Sequence, residues 1–75
     1  MRLIGLDPGL RNTGWGVIAV QGNRLTHIAD GVVRSNAKRP LAERLMELRD
    51  GLAAVIREYQ PDEAAVEETF VNANL

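Results

Sequence analysis

Asp7 stands directly before Pro8-Gly9, and Glu67 and Glu68 follow a short apolar run, Ala64-Ala65-Val66. Carboxylates are hard oxygen ligands. Two of them converging at one place suit Mg²⁺ or Mn²⁺, which take one or two protein carboxylates and complete their shell with water and phosphate. The chemistry open to such a pair is that of phosphate esters. Each residue also has an ordinary explanation, because Asp before Pro-Gly is a common turn residue and a Glu-Glu pair can simply end a strand in solvent. By residue type, Glu67 and Glu68 are equal candidates. The lone His27 falls away from both carboxylates in the topology derived next and reads as a surface strand residue.

The segments around these acids decide whether they meet. Leu3-Ile4-Gly5-Leu6 is too short for a helix and stops at the Asp7-Pro8-Gly9 turn signal, so it reads as a buried strand ending at Asp7, with the glycine expected to supply a permissive backbone angle. Residues 14–21 are β-branched and apolar, Gly22-Asn23 offers turn chemistry, and residues 25–34 resume with Ile28, Val32 and Val33. These two runs form a hairpin, and Ala29-Asp30-Gly31 interrupts the alternation and marks a bulge. From Pro40 the period becomes helical: Leu41, Leu45, Leu48, Leu52, Val55 and Tyr59 line one face, and Pro61 stops the helix near Tyr59 or Gln60. Gly51 lies within that helix at a cost of about 1 kcal/mol relative to alanine, too little to break it. Residues 64–66 form a last strand ending near Glu67 or Glu68. Trp15 and Tyr59 fall on apolar segments and are expected in the core.

The order strand, strand, strand, helix, strand predicts a mixed α/β fold with an antiparallel start and a crossover to a parallel fourth strand. A right-handed crossover makes the first and last strands parallel, so both end on the same edge of the sheet. Asp7 and Glu67 or Glu68 then converge where open α/β sheets bind ligands.

Composition narrows the function classes. With 75 residues, 45% apolar and 25% charged, the chain has ordinary globular usage and fits one small domain or part of one, here residues 1–75. The absence of cysteine excludes a disulfide framework and a thiolate zinc site and makes the cytoplasm the expected compartment. No apolar run is long enough to span a bilayer, so no membrane partner is expected. A net charge of −1 does not itself suggest a polyanion partner; the segment Arg34-Ser35-Asn36-Ala37-Lys38-Arg39 is a local basic exception that reads more simply as a solvated loop.

The opening IGLDPGLRNTGWGVI resembles the first motif of RuvC-type Holliday-junction resolvases, in which the aspartate of a DPG turn begins the site and a TG-aromatic-G sequence starts the second strand. AAVEETFVNAN resembles the family's second motif, where a glutamate after an apolar strand is followed three residues later by phenylalanine. That spacing selects Glu67 over Glu68. The resemblance covers essentially the whole chain and implies a ribonuclease H-like fold. It also implies a crossover junction endodeoxyribonuclease, a metal-dependent enzyme of DNA recombination and repair. In such an enzyme Asp7 and Glu67 are catalytic and help hold two Mg²⁺ ions, with Mn²⁺ as a substitute, while Phe70 stacks on unpaired bases. The implied partners are a four-way DNA junction, a second copy in a homodimer, and branch-migration machinery.

The family's site has four acids, of which two belong to a carboxy-terminal segment that these 75 residues do not contain. The main basic DNA-contacting residues and the dimer helix are expected there too. The chain therefore reads as the amino-terminal part of such an enzyme, inactive by itself. Two other readings use the same residues: a phosphate- or nucleotide-binding module of the actin and sugar-kinase superfamily, whose first strand also ends in aspartate and a glycine-rich turn, and a non-catalytic interaction domain that retains the fold.

Overall fold

The computed structural model describes residues 1–66. Strands β1 (Arg2–Asp7), β2 (Asn12–Gln21) and β3 (Arg24–Arg34) are followed by helix α1 (Leu41–Tyr59) and strand β4 (Glu63–Val66). The sheet order is β3-β2-β1-β4. The first three strands pair antiparallel, and β4 joins β1 in parallel, with Leu3 opposite Glu63 and Leu6 opposite Val66. The element order, the hairpin and the parallel crossover are those expected from the sequence. The end expected for the last strand, at Glu67 or Glu68, lies outside the described residues.

Alternation along each strand divides the sheet into two faces. Ile4 and Val17 are opposite each other and fully buried. Trp15, Thr13, Gly31 and Val33 share their face, which α1 covers. Trp15 packs on Tyr59 with ring centroids 5.5 Å apart and planes tilted by 41°. Both rings are half-buried and not fully enclosed as core residues would be, because they meet at the helix end. Desolvation, aided by the neighbouring Glu58 carboxylate, pushes the Tyr59 phenol above its ordinary range.

Two glycines let the layers close. A β-carbon on Gly31 would lie 2.8 Å from the Trp15 indole, and one on Gly51 would collide with the Val33 side chain. Gly51 thus marks the closest approach of α1 to β3, which gives a packing reason for a residue that weakens the helix on propensity alone. Pro40 precedes the helix at φ −58°, and Gln60 ends it in the left-handed region at φ 50°, its N–H donating to the Ile56 carbonyl at 2.8 Å.

The apolar stripe of α1 is only partly covered. Leu48 is buried and Leu52, Val55 and Tyr59 are half-buried, but Leu41 and Leu45 are 58% and 52% exposed. The helix leans toward β3, so its first turns project beside an open apolar groove whose walls include Leu6, Leu10, Leu45, Leu48 and Val66.

The β-bulge of the hairpin sits next to the place expected. Val17 pairs with Ala29 and Ile18 with His27, leaving Ile28 as the extra residue, just before Ala29-Asp30-Gly31. One inserted residue puts positions three apart on the same face, and His27 Nε2 accordingly lies 2.8 Å from an Asp30 carboxylate oxygen.

Candidate active site

Asp7 closes β1 at the edge where the parallel pair β1–β4 ends, and its side chain is on the face away from α1. Four residues connect it to β2, and their geometry is held from below by Thr13. The Thr13 hydroxyl is buried; it donates to the Gly9 carbonyl at 3.0 Å and accepts from the Gly9 N–H at 3.3 Å. One side chain therefore satisfies both backbone groups of the turn's glycine, as an internal clamp. Gly9 does not occupy the left-handed region, where the structure has only Gly22 among the glycines. The expected reason for glycine at position 9 is thus corrected: a β-carbon there would stand 2.5 Å from the Asn12 carbonyl oxygen, so close approach of backbone excludes any side chain.

The surface beside Asp7 is bare. Gly14 lies directly opposite it on β2, Gly5 and Gly16 are the next pair down the same face, and Ala65 adjoins Gly5 on β4. Together with Asp7 they line an open concavity. None of these glycines is required by packing, since a β-carbon on Gly14 would make ordinary contact with Asp7 at 3.8 Å and one on Gly5 would meet nothing. Asp7 is exposed and takes part in no ion pair among the described residues. Its oxygens are free to act as ligands. Among the described residues no group of three or more His, Cys, Asp and Glu side chains converges.

Glu67, Glu68 and Phe70 lie outside the described residues. The last described pair of the parallel ladder is Leu6 with Val66, one residue before Asp7 on one strand and directly before Glu67 in the sequence of the other. His27 stays apart as expected: it faces Ile18, four residues along β2 from the partner of Asp7, which is about 13 Å at strand rise. Among the described residues its only polar partner is Asp30, and both side chains are exposed.

The basic segment at residues 34–39 resolves into two roles. Arg39 is bound by the helix, 3.0 Å from Glu43 and 3.6 Å from Glu47. Arg34 and Lys38 have no carboxylate partner among the described residues, and Arg11, which sequence reading passed over, joins them on the same edge. Thr13 was also missed as a supporting residue. The single signal for it is that a threonine starts a strand four residues after the turn glycine.

No described helix is long and apolar enough to cross a membrane. The family model for crossover junction endodeoxyribonuclease RuvC matches residues 3–75. The crossover junction endodeoxyribonuclease RuvC of Paramagnetospirillum magneticum is 66% identical over 99% of this chain, which spans 45% of that protein. That of Rhodospirillum rubrum is also 66% identical, with 44% of it spanned. Among solved structures, Thermus thermophilus RuvC in complex with a Holliday junction substrate superposes with a TM-score of 0.83 at 32% identity, over 99% of this chain and 46% of that one. The chain thus spans a little under half the length of the relatives it matches. The fold is the ribonuclease H-like one of those structures, and the alternative of a nucleotide-binding module gives way to the family match. On a match that runs from Leu3 to Leu75 and includes both acidic motifs, the chain belongs to the crossover junction endodeoxyribonuclease RuvC family.

Proposed function

We propose that this chain is the part of a Holliday-junction resolvase that contributes the first two metal-binding acids, Asp7 and Glu67, to phosphodiester hydrolysis in four-way DNA junctions. The observation that carries the reading is the exposed Asp7 carboxylate, without an ion-pair partner among the described residues, at the end of a strand whose parallel neighbour is followed in the sequence by Glu67. Hard oxygen donors of this kind fit Mg²⁺, two ions per site, with Mn²⁺ as a substitute. The ions supply activation of water and neutralisation of charge on the phosphate. The protein's own part is to fix Asp7: the Thr13 clamp holds the turn after it, and the glycine surface beside it keeps the approach to the carboxylate clear.

Phe70 supplies stacking to unpaired bases at the crossover in this reading, a contact worth about 1–3 kcal/mol per base. A homodimer presents two sites symmetrically, which matches a junction cut on two opposing strands. Branch-migration machinery is the natural partner of such an enzyme, and the cytoplasm is its compartment.

The test is made in the complete gene product. Asp7→Asn and Glu67→Gln should each abolish single-turnover cleavage of a synthetic junction while junction affinity stays close to wild type, because each removes a ligand charge and leaves DNA contacts in place. Glu68→Gln should cut nearly normally. An inactive Glu68→Gln beside an active Glu67→Gln would reverse the choice between the two glutamates. A wild-type protein that binds junctions in Mg²⁺ or Mn²⁺ without cutting them would favour the non-catalytic interaction domain.

A further inference from the structure

Charge is unevenly distributed between the two ends of the sheet. At the end that holds Asp7, Arg11 lies in the turn between β1 and β2, Arg34 is the last residue of β3, and Lys38 lies in the loop leading to α1. All three are exposed, and none is within ion-pair distance of a carboxylate among the described residues. The nearby acids of α1 are turned elsewhere, Glu43 to Arg39 and Glu47 to Arg39 and to the Asn36 N–H at 2.9 Å. At the opposite end the amino terminus, Arg2, Arg24 and Arg57 are accompanied by the acids Glu58, Asp62 and Glu63, which offset most of the positive charge there.

The three cations are also mounted on a braced platform. The Ser35 N–H donates to the Arg11 carbonyl at 3.0 Å. The Ser35 hydroxyl donates to the Leu10 carbonyl at 2.6 Å and accepts from Arg44 Nε at 3.2 Å. The Lys38 N–H donates to the Asn36 side chain at 2.9 Å. These bonds tie the β1–β2 turn to the β3–α1 loop, so Arg11 and Arg34 hold a fixed relation to each other. Arg34 pairs with Asn12, which places it on the same face of the sheet as Asp7. Two strand spacings across the sheet and two residues along it separate their backbones, about 12 Å, or about three to four nucleotide steps at the 3.4 Å rise of one DNA strand.

We propose that Arg11, Arg34 and Lys38 form a backbone-phosphate contact surface that holds the DNA strand flanking the phosphodiester presented to Asp7. The inference rests on the nuclease reading above and adds to it a positioning surface built from this part of the chain. Contacts of this type carry no base information. They fix register and orientation of the strand, and they show in the salt dependence of binding. Arg39 is excluded, since its guanidinium is already held by two carboxylates.

Junction affinity of the complete gene product, measured by fluorescence anisotropy from about 50 to 300 mM salt, examines this directly. Each of Arg11→Gln, Arg34→Gln and Lys38→Gln should lower the slope of log K against log salt by about 0.9, and the triple variant by about 2 to 3. Arg11→Lys and Arg34→Lys should restore most of the slope. The pair Arg24→Gln and Arg57→Gln at the other end should leave it unchanged. The single variants keep the experiment informative should the triple variant fold poorly, and thermal melts identify that case. Single variants that keep the wild-type slope, or a control pair that lowers it as much, overturn the proposal while wild-type binding and cutting stand. A wild-type protein that neither binds nor cuts junctions overturns the nuclease reading instead.

Discussion

At the scale of single residues, the position of Asp7 depends on a side chain that performs no chemistry of its own. Thr13 is the one buried polar residue among the described ones, and its hydroxyl serves both the N–H and the carbonyl of Gly9. Thr13→Val keeps the shape and removes both bonds, leaving partly buried backbone groups without partners. The expected loss is about 1–3 kcal/mol, which in a domain of this size lowers the melting temperature by about 4–8 °C per kcal/mol. Thr13→Ser should retain most of the stability, because the hydroxyl is kept. Differential scanning calorimetry of the three proteins checks this, and a Thr13→Val protein as stable as wild type would show that water replaces the clamp. Asp7 was legible in the sequence through its turn, whereas Thr13 became visible only when its hydroxyl was found under that turn. Glu67 was marked as a candidate by its place after an apolar strand and preferred to Glu68 by the motif AAVEETF, which alone marked Phe70; both lie outside the described residues.

At the scale of elements, α1 shows how a propensity rule reverses in context. An exposed glycine inside a helix costs about 1 kcal/mol relative to alanine, so Gly51→Ala would ordinarily stabilise. Here a β-carbon at position 51 collides with Val33, and overpacking of that kind costs about 1–3 kcal/mol. Gly51→Ala should therefore destabilise, and combining it with Val33→Ala should recover part of the loss, because the smaller neighbour makes room. A double-mutant cycle read by urea denaturation measures the coupling. Additive single effects would mean that the helix moves away without strain. The length of α1 and its stop at Pro61 were readable from the 3.6 period and the proline. Its lean toward β3 was not, since a pattern of apolar residues defines a stripe and leaves open which strand the stripe faces.

At the scale of the whole molecule, one helix covers one face of a four-stranded sheet. The buried pair Ile4 and Val17 lies under it. On the helix side, Leu45 and Val66 remain largely exposed in the walls of the apolar groove, and Leu41, one turn earlier on the helix, is exposed as well. On the other face Val32 is 46% and Leu25 67% exposed. Contiguous apolar surface of this kind marks interaction or aggregation sites. The 75-residue polypeptide should accordingly self-associate as its concentration rises. Replacing Leu41 and Leu45 with glutamine should reduce association without unfolding it. It should also fail to nick junctions in Mg²⁺ or Mn²⁺, because two carboxylates leave a divalent shell dependent on water. Light scattering across a concentration series and a nicking assay examine the two halves; a strictly monomeric polypeptide that cuts junctions would contradict both.

The sequence by itself determined the element order and the parallel return of β4 beside β1, and it marked Asp7 and Glu67 as candidate acids, because periodicity, turn chemistry and motif spacing are local properties written along the chain. Tertiary structure alone decided why Gly9 must be glycine, why Gly51 is tolerated, that Arg39 is occupied while Arg11, Arg34 and Lys38 have no carboxylate partner among the described residues, and that Ile28 is the bulged residue. Each of these depends on which atoms from distant segments come within a few ångströms of one another. Asn12 meets Gly9 only across a closed turn, and Glu47 reaches Arg39 and Asn36 only once α1 has docked. A one-dimensional pattern can name the residues that belong to a surface; the packing of β3 against α1 sets which of them still have charge to offer.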